Sequence, residues 1–172
     1  MNLDKLLASK GFAQGISFGI VSSVMTVLGL CFSVWITGGS LKLIVSSLLG
    51  LTISNSLADA FSMYMANKAS GDKEIALMSA VVTGLVEFVV PFVFLGPLFM
   101  MKKNVAVPVN IAIGLVMIGL VGYGITKAGE PLDKISEKIF LYMLVLFAIL
   151  GLSAANGKLV NYLSPMIAKY DK

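Results

Sequence analysis

The sequence contains no histidine and no arginine, and it has a single cysteine, Cys31. Without histidine it has no imidazole to bind a metal or relay a proton. Without arginine it has no planar guanidinium group to hold a phosphate at two points. A lone cysteine excludes an intrachain disulfide and a thiolate metal cluster. Oxygen atoms are therefore the main ligands available to any cation.

Charge is also scarce: only 13% of the 172 residues are charged, whereas 58% are hydrophobic. A soluble domain of this size cannot bury so much apolar surface, so a lipid bilayer is the expected surrounding. The basic residues are all lysines, scattered over predicted helix ends and loops. They form no basic patch with interleaved aromatic residues, so a nucleic-acid partner is not expected. The beginning of the chain lacks the pattern of a removable signal peptide. No catalytic motif is present, so an enzyme is not expected.

The apolar runs predict an all-α fold with five transmembrane helices in a single domain spanning residues 1–172. The expected helices cover about 15–37, 43–67, 75–101, 105–126 and 139–160. A short polar hinge, Lys68–Glu74, joins the second helix to the third. Lys127–Lys138 is predicted to be the only long polar loop. Gly157 and Lys158 lie near the expected end of the fifth helix.

The lysines give only a small orientation bias. Seven lie on the side that holds the N-terminus and six on the other. Because cytoplasmic loops carry an excess of lysine, the count favours a cytoplasmic N-terminus, in the cell membrane if the protein is prokaryotic. The bias grows if Lys158 belongs to the fifth helix.

The predicted second helix carries an acid within an apolar span. Asn55, Asp59 and Met63 are four residues apart and therefore lie along one helix face. A carboxylate near the middle of a spanning helix costs roughly 2.5–3.5 kcal/mol on insertion scales, so Asp59 is not expected to face lipid. Two interpretations stay open: Asp59 belongs to an ion or proton site, or it is protonated or hydrogen-bonded and only fixes helix packing.

The third helix holds a second acid, Glu87. Pro91 follows four residues later and has no N–H, so the Glu87 carbonyl loses its usual helical partner. One turn of this helix thus offers a carboxylate and a free carbonyl oxygen. Partial solvation of Glu87 is expected.

Small residues recur every four positions along the first helix, at Gly11, Gly15, Gly19 and Ser23. Such a seam lets another helix approach closely within a bilayer. We expect a homodimer with its interface on this seam. The alternative, packing of the seam against a helix of the same chain, stays open.

Five short motifs on the first, second, third and fifth predicted helices resemble the vacuolar iron transporter family, which includes the yeast calcium-cross-complementer type. In the first two helices they are Phe18–Ser23 (FGIVSS), Leu28–Leu30 (LGL) and Ala60–Met63 (AFSM). Later in the chain they are Val90–Pro97 (VPFVFLGP) and Leu150–Ala155 (LGLSAA). The order and spacing of these motifs, which cover almost the whole chain, carry the resemblance.

The resemblance implies a homodimer that moves Fe²⁺ or Mn²⁺ out of the cytosol against protons, along a path lined by the first and second helices. Met63 falls at the family's pathway methionine. This sequence departs from the family pattern at three places. Phe18 replaces an aspartate, Asn67 stands at an acidic position, and Lys68–Glu74 takes the place of a glutamate-rich metal-binding extension.

Two functions from different classes follow. The first is a divalent-cation transporter whose site contains Asp59, Glu87, Asn55 and Met63, with no tightly bound cofactor and Fe²⁺ or Mn²⁺ as cargo. The second is a non-transporting packing or assembly protein, or a transporter of another substrate on the same scaffold. Counted from the hinge, Asp59 lies roughly 12 Å deep and Glu87 roughly 19 Å deep. This offset of about 7 Å predicts a bridge by water or by Asn55.

The hinge itself is expected to bind no metal, because its only acids are Asp72 and Glu74. Replacing Asp72 by Asn should leave the apparent affinity for transported Fe²⁺ or Mn²⁺ nearly unaltered in reconstituted vesicles. A loss of about tenfold, equivalent to about 1.4 kcal/mol, would show that the hinge takes part in binding.

Overall fold

A computed structural model of the chain describes residues 9–126 and 132–167, and within them it contains five α-helices and no strand. The helices are α1 (Lys10–Ile36), α2 (Leu41–Ala69), α3 (Lys73–Met100), α4 (Lys103–Thr126) and α5 (Leu132–Ile167). All five are long and apolar enough to cross a membrane. The predicted all-α fold with five membrane-spanning helices is confirmed.

Side-chain caps set the starts of the first three helices. In each case the cap oxygen accepts a hydrogen bond from the backbone N–H three residues later, at 3.0–3.2 Å. The cap satisfies one of the backbone donors that a helix start leaves unpaired. The capping residues are Ser9, Ser40 and Asp72. Because Ser9 caps α1, that helix begins five residues before the predicted start.

The turns after α1 and α2 each contain a glycine with positive φ, Gly38 at 76° and Gly71 at 89°. Only glycine adopts this backbone region without a steric penalty. Both turns are short, since only residues 37–40 and 70–72 separate the helices that they connect.

The fifth helix is longer than predicted at both ends. It begins at Leu132, so the second half of the predicted loop Lys127–Lys138 is helical, whereas residues 127–131 lie outside the described part of the chain. Gly157 does not end the helix. A Cβ at Gly157 would lie only 3.1 Å from Ile36 Cγ2 and 3.2 Å from the Ser33 carbonyl oxygen, so the glycine is where α5 approaches α1 closely. Lys158 thus belongs to α5. When Lys158 is left out of the loop lysines, the bias that favours a cytoplasmic N-terminus becomes larger.

Helix α1 lies at the centre and packs against α3, α4 and α5, whereas α2 packs mainly against α3. At the end of α1 the Trp35 Nε1–H donates to Asn104 Oδ1 at 3.2 Å, and Lys103 Nζ donates to the Gly39 carbonyl oxygen at 2.7 Å. These bonds fix the start of α4 against the turn after α1. Leu28, Phe94 and other apolar side chains fill the space between the helices.

The small-residue seam of α1 is occupied by α3 of the same chain. A Cβ at Gly15 would lie 2.7 Å from Val82 Cβ and 2.8 Å from the Ser79 carbonyl oxygen, and Gly11 and Gly19 have similarly close α3 neighbours. The seam therefore works as an intrachain packing surface. The expectation of a dimer interface on Gly11, Gly15, Gly19 and Ser23 is wrong, because α3 already covers that face.

Helix α2 exposes a different row of small residues on its outer side. The residues are four positions apart and all are exposed in the single chain: Ser46, Gly50, Ser54, Ala58, Ser62 and Ala66. A Cβ at Gly50 would meet no atom within 4 Å. Of the five spans, α2 also has the lowest mean hydropathy, 1.4 against 2.0–2.3 for the others.

The contact between α1 and α3 leads to a stability prediction. Gly15→Ala should lower the unfolding midpoint in detergent, because the new methyl group has no room, and overpacking costs about 1–3 kcal/mol. Gly151→Ala is the matched control, since a Cβ at this exposed α5 position meets nothing within 4 Å. Equal midpoints for the two variants would contradict the described packing.

Candidate functional site

Helices α1, α2 and α3 bring their polar side chains together near the middle of the membrane spans. Gly84 of α3 lies between Ser56 and Ala60 of α2, since a Cβ there would be 3.4 Å from the Ser56 carbonyl oxygen and 3.2 Å from Ala60 Cβ. Because α2 and α3 run in opposite directions, Asp59 lies about one helical turn nearer the connecting turn than Glu87. This spacing agrees with the predicted offset of about 7 Å.

The two acids approach each other despite this offset. A helical side chain points toward the N-terminus of its own helix. In antiparallel helices, Asp59 therefore points deeper into the membrane and Glu87 points back toward the turn. Their carboxyl groups interact electrostatically with each other. The structure thus brings together the two acids that the sequence singled out.

Ser22 of α1 is the hydrogen-bond partner of Asp59. Its Oγ–H donates to Asp59 Oδ2 at 2.7 Å. The parallel packing of α1 on α3 places Ser22 at the level of Glu87, three residues beyond the contact of Gly19 with Thr83 and Val86. Ser22 therefore bonds to one of the two acids. The expected bridge between the acids, by water or by Asn55, stays a prediction.

Glu87 is buried at the centre of α3, with only 2% of its surface exposed. The expectation of partial solvation is wrong, because α1 and α2 both pack against α3 and cover Glu87. The Glu87 carboxyl lies near the Ser22 hydroxyl as well as near Asp59. Neither of its oxygens, however, makes a hydrogen bond of regular geometry.

A small cavity of about 10 Å³ lies beside Glu87, enclosed by α1, α2 and α3. We call it the Glu87 cavity. Its oxygen-bearing lining residues are Ser23, Thr26, Thr52, Asn55 and Glu87, and its other lining residues are Val27, Leu48, Leu51 and Pro91. Asp59 does not line it. Ser23, expected in the dimer seam, contributes a buried hydroxyl that has no partner.

Met63 is separated from the acids. It is half-buried one turn from Asp59 toward the α2–α3 turn, where its sulfur accepts a hydrogen bond from Asn67 Nδ2 at 3.3 Å. The same amide donates to Ser79 Oγ at 2.8 Å, so Asn67 ties α2 to α3. Phe18 is 41% exposed on the surface of α1 and takes no part in the site.

The four predicted metal ligands therefore divide into three settings. Asp59 and Glu87 face each other, Asn55 lines the Glu87 cavity, and Met63 contacts Asn67. Across the described ranges, no group of three acidic or cysteine side chains is close enough to hold a metal ion. One chain alone supplies a pair of carboxyl groups and several neutral oxygens.

The hydroxyl groups of this site give only a weak signal in the sequence. The sequence marks Ser22 and Thr26 as polar residues near the glycine seam, and Thr52 as a polar residue beside the stripe of Asp59. Their spacing does not predict that they bind a ligand, because hydroxyl side chains in membrane helices usually bond to the backbone of their own helix. Thr52 Oγ1 does so, donating to the Leu48 carbonyl oxygen at 2.8 Å.

No model of a known protein family matches this chain, and comparisons with curated proteins and with solved structures find no significant match. The resemblance to the vacuolar iron transporter family stays a prediction drawn from the short motifs.

The contact between Ser22 and Asp59 predicts non-additive stability. Three variants remove the bond: Ser22→Ala, Asp59→Ala and the double variant. A double-mutant cycle of their unfolding free energies should give an interaction energy of about 0.5–3 kcal/mol. The pair Ser70→Ala and Asp59→Ala is the control, because Ser70 is exposed and lies about three turns away, at the end of α2. Additivity in the Ser22 cycle would show that the bond is absent in the folded protein.

Proposed function

We propose that this protein transports a divalent metal cation, Fe²⁺ or Mn²⁺, across the membrane in exchange for protons, with Asp59 and Glu87 as the central residues. One observation carries the proposal: two acids from different helices face each other within the membrane spans, and one of them is fully buried. Each carboxylate there costs roughly 2.5–3.5 kcal/mol on insertion scales, and such residues usually mark ion or proton pathways.

The available ligands support a hard divalent cation. Carboxylate, hydroxyl and amide oxygens suit Mn²⁺ and Fe²⁺ better than Cu⁺ or structural zinc, which prefer sulfur or nitrogen. Two adjacent carboxylates together balance the two positive charges of such an ion. Met63 offers a sulfur one turn nearer the α2–α3 turn, on the way to the acids.

Proton exchange follows from the closeness of the two acids. A low dielectric disfavours the charged form of a carboxyl group, and like charges close together disfavour it further. When the metal leaves, the pair is therefore expected to take up protons, and it releases them when the metal returns.

The proposal includes a homodimer, an N-terminus in the cytoplasm and export from the cytosol, in the cell membrane if the protein is prokaryotic. With the α1 seam buried, the outer row of small residues on α2 is the surface that fits a second copy. An interface there would place the two acid pairs near the same two-fold axis, since Asp59 is only half-buried in a single chain.

Uptake of radioactive iron and manganese into proteoliposomes, with and without a pH gradient, tests the proposal. Asp59→Asn and Glu87→Gln should each reduce gradient-driven uptake at least about tenfold, since losing one ligand of a charge pair removes at least about 1.4 kcal/mol of binding. Glu74→Gln is the matched control, because it neutralises an exposed acid outside the site.

Wild-type rates for both site variants from mildly acidic to mildly alkaline pH would contradict the proposal. The carboxyl groups would then serve only helix packing, and the non-transporting alternative would be favoured. A loss of folded protein would appear separately, as a changed elution profile of the detergent-solubilised variant.

A further inference from the structure

The Glu87 cavity contains buried polar atoms that nothing in the described chain satisfies. Ser23 is 5% exposed and Glu87 2% exposed, and the Ser23 hydroxyl and both Glu87 carboxyl oxygens lack a hydrogen bond of regular geometry. Buried polar groups in native proteins are almost always partnered, because leaving one unpaired costs about 1–3 kcal/mol. Two such side chains lining one cavity indicate a ligand.

The cavity limits the size of that ligand. Its volume of about 10 Å³ is at the lower bound for one water molecule, roughly 10–15 Å³. A hydrated ion or an organic molecule does not fit. The occupant is a single small particle that has lost its hydration shell.

The lining chemistry favours a cation. All five polar lining residues carry oxygen, and none is a lysine. Thr52 Oγ1 has its hydrogen engaged with the Leu48 carbonyl, so its lone pairs remain free to accept a cation. Pro91 supplies no N–H to the Glu87 carbonyl, which is another oxygen without its usual helical partner. Oxygen atoms of broken or proline-interrupted membrane helices are typical sodium ligands in transporters.

Charge balance selects a monovalent ion. Glu87 is the only charged residue that lines the cavity, and the nearby Asp59 carboxylate already accepts a hydrogen bond from Ser22. We propose that the Glu87 cavity binds one dehydrated sodium ion, held by Glu87, Ser23, Thr26, Thr52 and Asn55. A divalent ion would need a second carboxylate, and Asp59 does not line the cavity. Sodium is smaller than the single water molecule that the cavity can just hold, which favours it over potassium.

Sodium also explains the site better than the two neutral alternatives. A water molecule would donate hydrogen bonds but leave the carboxylate charge uncompensated within the membrane. A proton on Glu87 would neutralise the charge and could be shared with Asp59, but it would leave the Ser23 hydroxyl in the cavity without a partner. Binding of sodium does not depend on the proposed transport function, whereas its use as a coupling ion rests on it.

The test is the unfolding midpoint of the purified protein in detergent, in NaCl, KCl or choline chloride at equal ionic strength. A ligand that binds only the folded state stabilises it in proportion to the logarithm of its concentration. NaCl should raise the wild-type midpoint by roughly 3–6 °C at a concentration about tenfold above Kd. KCl and choline chloride should not. Equilibrium binding of radioactive sodium should give one ion per chain.

Two variants examine the ligands. Ser23→Ala removes a hydroxyl that has no partner in the chain, so the midpoint in choline should hold or rise while the sodium-dependent increase is lost. Thr52→Val keeps the side-chain volume and should weaken sodium binding in the same way, which covers the case that Ser23→Ala does not fold. Ser70→Ala is the control, since that hydroxyl is exposed at the end of α2 and bonds to the Asn67 carbonyl of its own helix.

The other possible results overturn the sodium proposal, the transport proposal or both. An equal shift in all three salts, or a sodium shift that survives in both variants, would leave water or a proton as the occupant. A larger shift with Mn²⁺ that the same variants abolish would make the cavity a divalent site. If NaCl raises the unfolding midpoint but Asp59→Asn takes up metal at the wild-type rate, only the transport function is refuted. If Asp59→Asn loses uptake but NaCl does not raise the midpoint, only the sodium site is refuted.

Discussion

The close approach of α1 to α3 is the constraint on which the rest of the structure depends. Three glycines, Gly11, Gly15 and Gly19, let the helix backbones come so near that a Cβ at any of the three would meet α3 atoms at 2.7–2.9 Å. The parallel contact fixes the rotation and height of α1. As a consequence Ser22 and Ser23, at the next turn of α1, lie beside Glu87.

The site has two compartments that share one residue. Glu87 faces Asp59 and Ser22 toward the α2–α3 turn, and it lines the small cavity with Asn55 on the other side. An ion in the cavity and an ion or proton between the acids would therefore compete for the charge of Glu87. Such competition is the physical basis of coupled exchange, in which one ion leaves as the other binds.

The sequence predicts which residues form the site better than it predicts how they are arranged. Asp59 and Glu87 stand out because acids are costly in apolar spans, and they do meet in the fold. Met63 lies on the same helical stripe as Asp59 but contacts Asn67, one turn away, because a stripe fixes the face of a helix and not its neighbour. The glycine seam was correctly recognised as a packing surface, but its partner is α3 of the same chain, where a second copy was expected.

The sequence alone determined the five helices, their membrane environment and the two acids within it, because hydropathy and insertion costs are properties of single segments. Caps such as Ser9 and the close approach at Gly157 moved helix ends by several residues. Only the tertiary structure decided that Ser22 binds Asp59 and that hydroxyl groups from α1 and α2 enclose a cavity with Glu87. These contacts depend on how each helix is rotated about its axis, which is set by packing between residues far apart in the chain.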